Sequence, residues 1–218
     1  MTESYVEMTS EKFKNFRNLG GMDYIGRGAD QLRTLDEQKK SAEVCKKLNL
    51  TGLVLVGATE ALTDGVNLSQ YFVEQKIETS VIVIPATVDG NIRHKYIRTS
   101  IGFDSASKVY SQLIGNMLTD SASAVKYWYF IRLMGKEPSH LALECALKTC
   151  PNMVIVSEEC NNRKETLHDI INRICDTICQ RSVKGDNYGC VLIPEGLLYH
   201  LSAYNQLIQE INKIFADA

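Results

Sequence analysis

The sequence predicts an α/β fold: a doubly wound, mainly parallel sheet or sheets with helices on both faces. Short apolar runs rich in β-branched residues alternate along the chain with segments whose apolar residues recur at helical spacing. The runs are continuously apolar, which is typical of parallel strands covered on both faces. Strand, helix and strand repeated in this way indicate successive βαβ units.

The predicted elements follow one another in a regular order. Strands are predicted at 53–56, 81–84, 128–133, 153–156 and 191–193. Helices are predicted at 63–74, 100–120, 139–149, 167–178 and 204–215, where apolar residues repeat every three or four positions. Ser139 precedes the third of these helices and is a candidate N-cap.

Composition and charge exclude several classes of protein. The chain has 218 residues, and its net charge of −2 leaves no basic excess for a nucleic-acid backbone or an anionic membrane. No apolar stretch approaches the roughly 18 residues of a membrane span, and the acidic N-terminal segment does not resemble a signal peptide. The seven cysteines form no C-x-x-C pair, so we expect reduced structural thiols and a cytoplasmic location. Neither nucleic acid nor membrane is an expected partner.

Polar residues follow every predicted strand. Glycine, a carboxylate or a cation is found at 57–60, 85–91, 133–136, 157–159 and 194–196. Ligands of open α/β sheets bind beyond the carboxyl ends of the strands. The sequence therefore predicts a site for a polar ligand at this edge.

Collinear motifs at and near these strand ends carry a family resemblance. They are Thr87-Val-Asp-Gly90, Gly102-Phe-Asp104, Lys126-Tyr127, Phe130-Ile-Arg-Leu-Met-Gly135, Ser139-His140, Leu143-Glu-Cys-Ala-Leu147 and Ile193-Pro-Glu-Gly-Leu197. In this order and spacing they resemble the phosphofructokinase family, specifically its long pyrophosphate-dependent branch. The resemblance implies a glycolytic enzyme that transfers a phosphoryl group from pyrophosphate or ATP to the 1-hydroxyl of fructose 6-phosphate, with Mg²⁺.

The resemblance implies that the base and one phosphate contact of the sugar site are preserved. Asp89 matches the carboxylate that acts as general base on the sugar hydroxyl, and Thr87 and Val88 stand beside it. Lys126 and Tyr127 match a pair that reaches the sugar phosphate of a neighbouring subunit, which implies a homo- or hetero-oligomer.

The resemblance extends to two further sugar contacts. Met134 and Gly135 match the family's sugar-contacting turn, where the next residue is Lys136 instead of arginine. That change keeps the charge and loses the bidentate fork. Glu195 matches the glutamate that hydrogen-bonds sugar hydroxyls.

The phosphoryl-donor side departs from the family pattern. Catalytic relatives have Gly-Gly-Asp-Asp-Ser where this chain has Gly57-Ala-Thr-Glu-Ala61. Thr59 therefore replaces the carboxylate that anchors Mg²⁺ in those relatives. Glu60 keeps a carboxylate at the next position. The resemblance therefore implies that Mg²⁺ belongs to the complete enzyme, while no metal ligand is assigned in this chain.

Other donor-side positions differ as well. Asn91 replaces the second aspartate after the base, and Arg93 replaces the lysine that follows it. Ala29 stands where relatives place an arginine that stabilises the transferred phosphoryl group, a change that can remove orders of magnitude in rate. Arg27, nearby, is not expected to replace it.

The sequence leaves three functional hypotheses. In the first, the chain is a piece of a 6-phosphofructokinase, inactive alone, with residues 1–124 in a donor-side α/β domain and 125–218 in a sugar-side α/β domain. In the second, it is a non-catalytic regulatory subunit or domain of the same enzyme that binds a fructose phosphate as an effector. In the third, it is an unrelated α/β binding module whose strand ends converged by chance. The choice between pyrophosphate and ATP stays open.

Overall fold

The computed structural model describes residues 5–19, 21–26, 28 and 31–216. The helices in that part of the chain are α1 (Ser10–Lys14), α2 (Met22–Ile25), α3 (Leu35–Lys47), α4 (Thr59–Glu74), α5 (Phe103–Ala124), α6 (His140–Thr149), α7 (Ser157–Asn162), α8 (Leu167–Val183), α9 (Leu197–His200) and α10 (Ser202–Ala216). The strands are β1 (Gly52–Gly57), β2 (Ser80–Thr87), β3 (Ile101–Gly102), β4 (Trp128–Leu133), β5 (Met153–Val154) and β6 (Gly189–Pro194). None of the described helices combines the length and apolar character needed to cross a membrane.

The chain forms two compact units that divide between Pro85 and Ala86. The sequence predicts a division near position 124, after α5. The structure places it before α5, because Ile114 of that helix packs in one core cluster with Leu133 and Leu192 of the second unit. The assignment of a donor side and a sugar side to the two parts stays a prediction.

The first unit is a parallel pair of strands packed under two helices. β1 pairs with the first part of β2, with Leu53 opposite Val81. These two side chains pack against a buried cluster that includes Leu68 and Phe72 of α4 and Cys45 of α3. Thr34 begins α3 with a capping box in which its side chain and that of Glu37 bond each other's backbone amides.

The opposite face of the first unit differs from the expectation that its strands are covered on both sides. Val54, Val56 and Ile82 are more than half exposed, and Ile84 is exposed as well. Exposed and partly buried residues alternate along β1. The described residues supply helices α3 and α4 to one face only, so the apolar runs of β1 and β2 are half covered within this chain.

The second unit contains a parallel sheet in the order β4-β6-β5 with helices on both faces. Its central strand, β6, is buried along almost its whole length. Leu192 packs in the cluster formed with α5 and α6. Val191, on the other side of the strand, packs with Cys160 of α7 and Ile170 of α8. This unit confirms the predicted doubly wound α/β architecture.

Local details depart from the predicted elements. β5 ends at Val154 instead of 156, because the chain turns into the short helix α7 at Ser157. The two-residue strand β3 was not predicted and pairs with Ala86 and Thr87 at the end of β2. Ser139 precedes α6 as expected, but its side chain makes no capping hydrogen bond to that helix.

Truncation of the central strand should destabilise the second unit. Leu192 is fully buried, so Leu192→Ala is expected to lower the free energy of unfolding by about 2–5 kcal/mol through lost transfer energy and a residual cavity. Leu147→Ala on α6 is the control, because Leu147 is 78% exposed and surface changes stay within about 0.5 kcal/mol. Urea denaturation of both variants measures the difference, and equal midpoints would contradict the packing described.

The cysteines should fall into two reactivity classes. Burial raises the pKa of Cys160 and of Cys190 to about 11, and also raises the pKa of Cys45 and of Cys145. The remaining thiols, of Cys150, Cys175 and Cys179, are exposed. Because the thiolate is the nucleophile, iodoacetamide at pH 8 should alkylate only the exposed class in the folded protein. Peptide mass spectrometry checks this, and rapid labelling of Cys190 without denaturant would refute it.

Candidate functional site

The carboxyl ends of β4 and β6 define the edge of the candidate site. Leu133 pairs with Pro194 in the parallel ladder. The next residues, Met134 and Glu195, therefore leave the sheet side by side, and the Glu195 amide donates a hydrogen bond to the Leu133 carbonyl over 2.9 Å. Met134 is about half exposed and Glu195 is exposed, so both side chains are available to a ligand.

Asp89 is tied to the same edge by its carboxylate. Its Oδ1 accepts a hydrogen bond from the Lys136 backbone amide over 3.0 Å. Its own amide donates to Thr87 Oγ1 over 3.1 Å, and the side chain of Thr87 is buried. The structure thus brings the predicted base next to the predicted sugar-contacting turn, although 47 residues separate Asp89 from Lys136 in the chain.

Two glycines allow the backbone to approach closely here. Gly135 has a φ of +133°, and a Cβ on it would lie 3.1 Å from the Pro138 carbonyl oxygen and 3.9 Å from Asp89 Oδ1. A Cβ on Gly196 would lie only 2.7 Å from the Glu137 carbonyl oxygen and 2.9 Å from that of Lys136. A side chain at 196 would therefore force the segment after β6 away from the turn after β4.

His140 supports the segment that carries Asp89. Its Nδ1 lies 3.2 Å from the carbonyl oxygen of Gly90, and Gly90 has a φ of +63° with Phe103 packed against its α-carbon. The contact indicates a structural role for His140, because its ring nitrogen meets a backbone carbonyl.

The sequence analysis missed two side chains around this edge. Glu158 Oε1 accepts a hydrogen bond from the Ser139 amide over 2.9 Å, and His200 Nε2 lies 3.3 Å from the Glu137 carbonyl oxygen. Neither residue belongs to the motif at 134–136. The folding of the chain brings both of them to the segment that follows this motif. The carboxylates at 157–159 had been noted as strand-end residues without an individual role.

Lys126 and Tyr127 lie apart from this cluster. They precede β4, whose six residues span about 20 Å at the usual rise of a strand, whereas Asp89 contacts the turn that follows β4. Both residues are exposed, and Lys126 Nζ lies 6.0 Å from the centroid of the Tyr127 ring. Their position leaves them free to contact another molecule, as a role toward a neighbouring subunit requires.

The donor-side residues surround a cavity of about 370 Å³ in the first unit. β1 ends at Gly57, and α4 begins with Thr59 and Glu60, both exposed. The cavity is lined by Arg33, Thr59, Glu60, Thr63, Asp64 and Asn67. Asp64 is only 8% exposed, and among the described residues its carboxylate has no hydrogen-bonding or ionic partner.

The remaining donor-side positions lie in the second unit or outside the described residues. Asn91 and Arg93 belong to the second unit and are exposed. Arg27 and Ala29 lie outside the described residues, so the structure does not bear on the predicted loss of an arginine there.

The donor side offers few metal ligands. Within the described ranges, no group of three or more histidine, cysteine, aspartate or glutamate side chains could hold a metal ion. The cavity does contain the carboxylates of Glu60 and Asp64, one helical turn apart. Mg²⁺ is commonly bound by one or two carboxylates together with substrate phosphates and water. The residues present therefore fit a phosphate-bound Mg²⁺ better than a cation held by protein alone.

The chain is similar to enzymes that are named for pyrophosphate. It is 43% identical over 213 residues to pyrophosphate–fructose 6-phosphate 1-phosphotransferase subunit beta 1 of Arabidopsis thaliana, covering 98% of this chain and 38% of that protein. It is 41% identical over 212 residues to subunit alpha 2 from the same plant, covering 97% of this chain and 34% of that protein. The chain thus spans little more than a third of the length of these relatives.

A solved structure and a family profile agree with these similarities. The pyrophosphate-dependent phosphofructokinase of Marinobacter aquaeolei has a similar fold, with a TM-score of 0.64 and 17% identity over 84% of this chain and 47% of that one. The family profile described as Phosphofructokinase matches residues 1–217. With that profile matching almost from end to end, the chain belongs to the phosphofructokinase family.

Proposed function

We propose that this chain provides the fructose 6-phosphate side of a pyrophosphate-dependent 6-phosphofructokinase. The observation that carries the proposal is the hydrogen bond from the Lys136 amide to Asp89 Oδ1. It joins the predicted base to the predicted sugar-contacting turn at the edge where Glu195 emerges. Pyrophosphate is the proposed donor because the relatives named above are pyrophosphate enzymes.

In the proposed mechanism, Asp89 takes the proton from the 1-hydroxyl of the sugar as that oxygen attacks one phosphorus of pyrophosphate. The bridging P–O bond breaks, and inorganic phosphate leaves. Lys136 N–H holds one carboxylate oxygen of Asp89 in place, which leaves the other oxygen for the hydroxyl. Met134 and Gly135 shape the turn beside the sugar, and Glu195 accepts hydrogen bonds from its hydroxyls. Lys126 and Tyr127 contact the phosphate of the sugar that is bound in a neighbouring subunit.

On the donor side, Glu60 and Asp64 would hold Mg²⁺ and Arg33 would face the phosphates, since all three line one cavity. When bound, Mg²⁺ neutralises phosphate charge. Thr59 supplies a hydroxyl where the family pattern has a carboxylate, so this chain is proposed to hold the metal more weakly than its catalytic relatives do.

The departure at Thr59 favours a second candidate function. A chain that keeps the sugar side and weakens the donor side could act as a regulatory subunit, binding a fructose phosphate and shifting the conformational equilibrium of a catalytic partner. Similarity to proteins named as alpha and beta subunits supports a hetero-oligomer for either function. Free thiols throughout the described residues support a reducing compartment such as the cytoplasm.

The function is tested with the unaltered chain, Asp89→Asn and the control Asp176→Asn, an exposed aspartate of α8. Calorimetric titration should give saturable binding of fructose 6-phosphate to all three proteins, because asparagine keeps an oxygen that can accept from the Lys136 amide. In an enzyme assembled with this chain, Asp89→Asn should lower fructose 1,6-bisphosphate formation by about 10²–10⁴-fold, the usual contribution of a general base.

The same experiment separates the two candidate functions. Activity lost in Asp89→Asn and kept in Asp176→Asn excludes a purely regulatory chain. Activity unchanged in Asp89→Asn, with fructose 6-phosphate still bound, supports the regulatory function. Absence of saturable fructose 6-phosphate binding by the unaltered chain would overturn both.

Restoring the missing carboxylate should strengthen the donor side. Thr59→Asp adds a hard oxygen ligand to the lining of the cavity that contains Glu60 and Asp64, so Mg²⁺–pyrophosphate should bind several-fold more tightly. Thr63→Asp is the matched control, because it adds the same charge to the same cavity one helical turn later. Calorimetry at fixed Mg²⁺ measures the affinity of both variants for pyrophosphate. Equal affinities would show that the residue at position 59 does not limit binding.

A further inference from the structure

The turn formed by residues 134–139, called here the 134–139 turn, is held by contacts on several sides. The Lys136 amide donates a hydrogen bond to Asp89. Gly196 packs against the carbonyl oxygens of Lys136 and Glu137. At the far end of the turn, the Ser139 amide donates to Glu158 Oε1 over 2.9 Å. The turn is therefore hydrogen-bonded to the proposed base through Lys136 and to a carboxylate of helix α7 through Ser139.

Ser139 and the start of α7 are joined by reciprocal hydrogen bonds. Glu158 Oε1 accepts from the Ser139 amide, and Ser139 Oγ accepts from the Ser157 amide, each over 2.9 Å. Ser139 and Ser157 are both fully buried. The Ser139 hydroxyl makes no capping hydrogen bond to α6. The pair fixes the end of the 134–139 turn to α7 independently of the helix that follows it.

Glu158 is held as an anion although its surroundings are partly buried. Burial pushes the pKa of this carboxyl upward, but hydrogen bonds from Ser139 and from its own backbone, together with the nearby His200, bring the pKa below its usual range. The second oxygen, Oε2, is buried and has no hydrogen-bond partner within the described part of the chain. A buried carboxylate with one unsatisfied oxygen is unfavourable for stability, so stability alone does not account for a glutamate here.

We infer that Glu158 is a positioning residue for the sugar site, fixing the 134–139 turn so that the Lys136 amide orients Asp89. The inference rests on the proposed function, since it assigns that turn to fructose 6-phosphate. Glu158 acts through Ser139 and contacts no substrate. Its effect depends on the reach of the side chain to the Ser139 amide and not on its charge.

Two substitutions separate reach from charge. Glu158→Asp keeps the charge and withdraws the carboxylate by one methylene, so the hydrogen bond to Ser139 should be lost. Glu158→Gln removes the charge and keeps an oxygen at the position of Oε1, so the hydrogen bond should survive. Glu159→Ala is the control, because Glu159 is exposed on the same helix and pairs only with Arg163 across one turn among the described residues.

The first measurement needs no ligand. Amide hydrogen exchange followed by NMR should show faster exchange of the Lys136 and Ser139 amides in Glu158→Asp, with near-normal protection in Glu158→Gln and Glu159→Ala. The second is the affinity for fructose 6-phosphate, which should fall on the order of tenfold to a hundredfold in Glu158→Asp, as expected when a binding group is misplaced. Glu158→Gln should restore it.

The exchange and affinity measurements test different parts of the inference. Normal exchange in Glu158→Asp overturns the positioning role, and so does faster exchange with unchanged affinity for fructose 6-phosphate. Weak binding in Glu158→Gln with normal exchange overturns the claim that reach, not charge, matters. If the unaltered chain binds no fructose 6-phosphate, the proposed function fails, and amide exchange alone then decides whether Glu158 holds the turn.

Discussion

Leu133 and Pro194 face each other in a parallel pair, and the site of the second unit depends on that register. Parallel pairing sends the chain out of both strands at the same edge, so the segments that follow must pack against one another. The packing is close because Gly196 presents no side chain to the carbonyl oxygens of Lys136 and Glu137. A shift of the register by one residue would exchange the faces of β6 and displace Glu195 from the turn.

In the second unit, one set of residues provides stability and another set positions the candidate site. Its stability comes from apolar clusters on both faces of β6, where Leu192 and Val191 are completely buried. Beyond the strand ends, the side chains of Asp89, Ser139 and Glu158 accept hydrogen bonds from backbone amides. Hydrogen bonds of this kind fix direction more than they add net free energy, which suits a site that must hold a base in one orientation.

Departures from the family pattern that the resemblance indicates occur in both units. In the second unit, Thr87 and Asp89 match the family pattern and lie next to the turn at Lys136, while Lys136, Asn91 and Arg93 depart from that pattern. In the first unit, Thr59 replaces a carboxylate, while Glu60 and Asp64 still line the adjoining cavity. The predicted combination of a preserved acceptor side and an altered donor side is compatible with both of the functions proposed above, catalysis and regulation.

The sequence by itself determined the order of strands and helices and the residue types at the strand ends, because apolar periodicity reflects local burial that each segment carries within it. The family resemblance of its motifs also grouped Asp89, Lys136 and Glu195 in one predicted site. Tertiary structure alone decided that Glu158 and His200 contact the 134–139 turn, that β3 adds to β2, and that the units divide before α5. These features depend on contacts between distant segments, and a hydrogen bond between a carboxylate and a remote backbone amide leaves no periodic trace in the sequence.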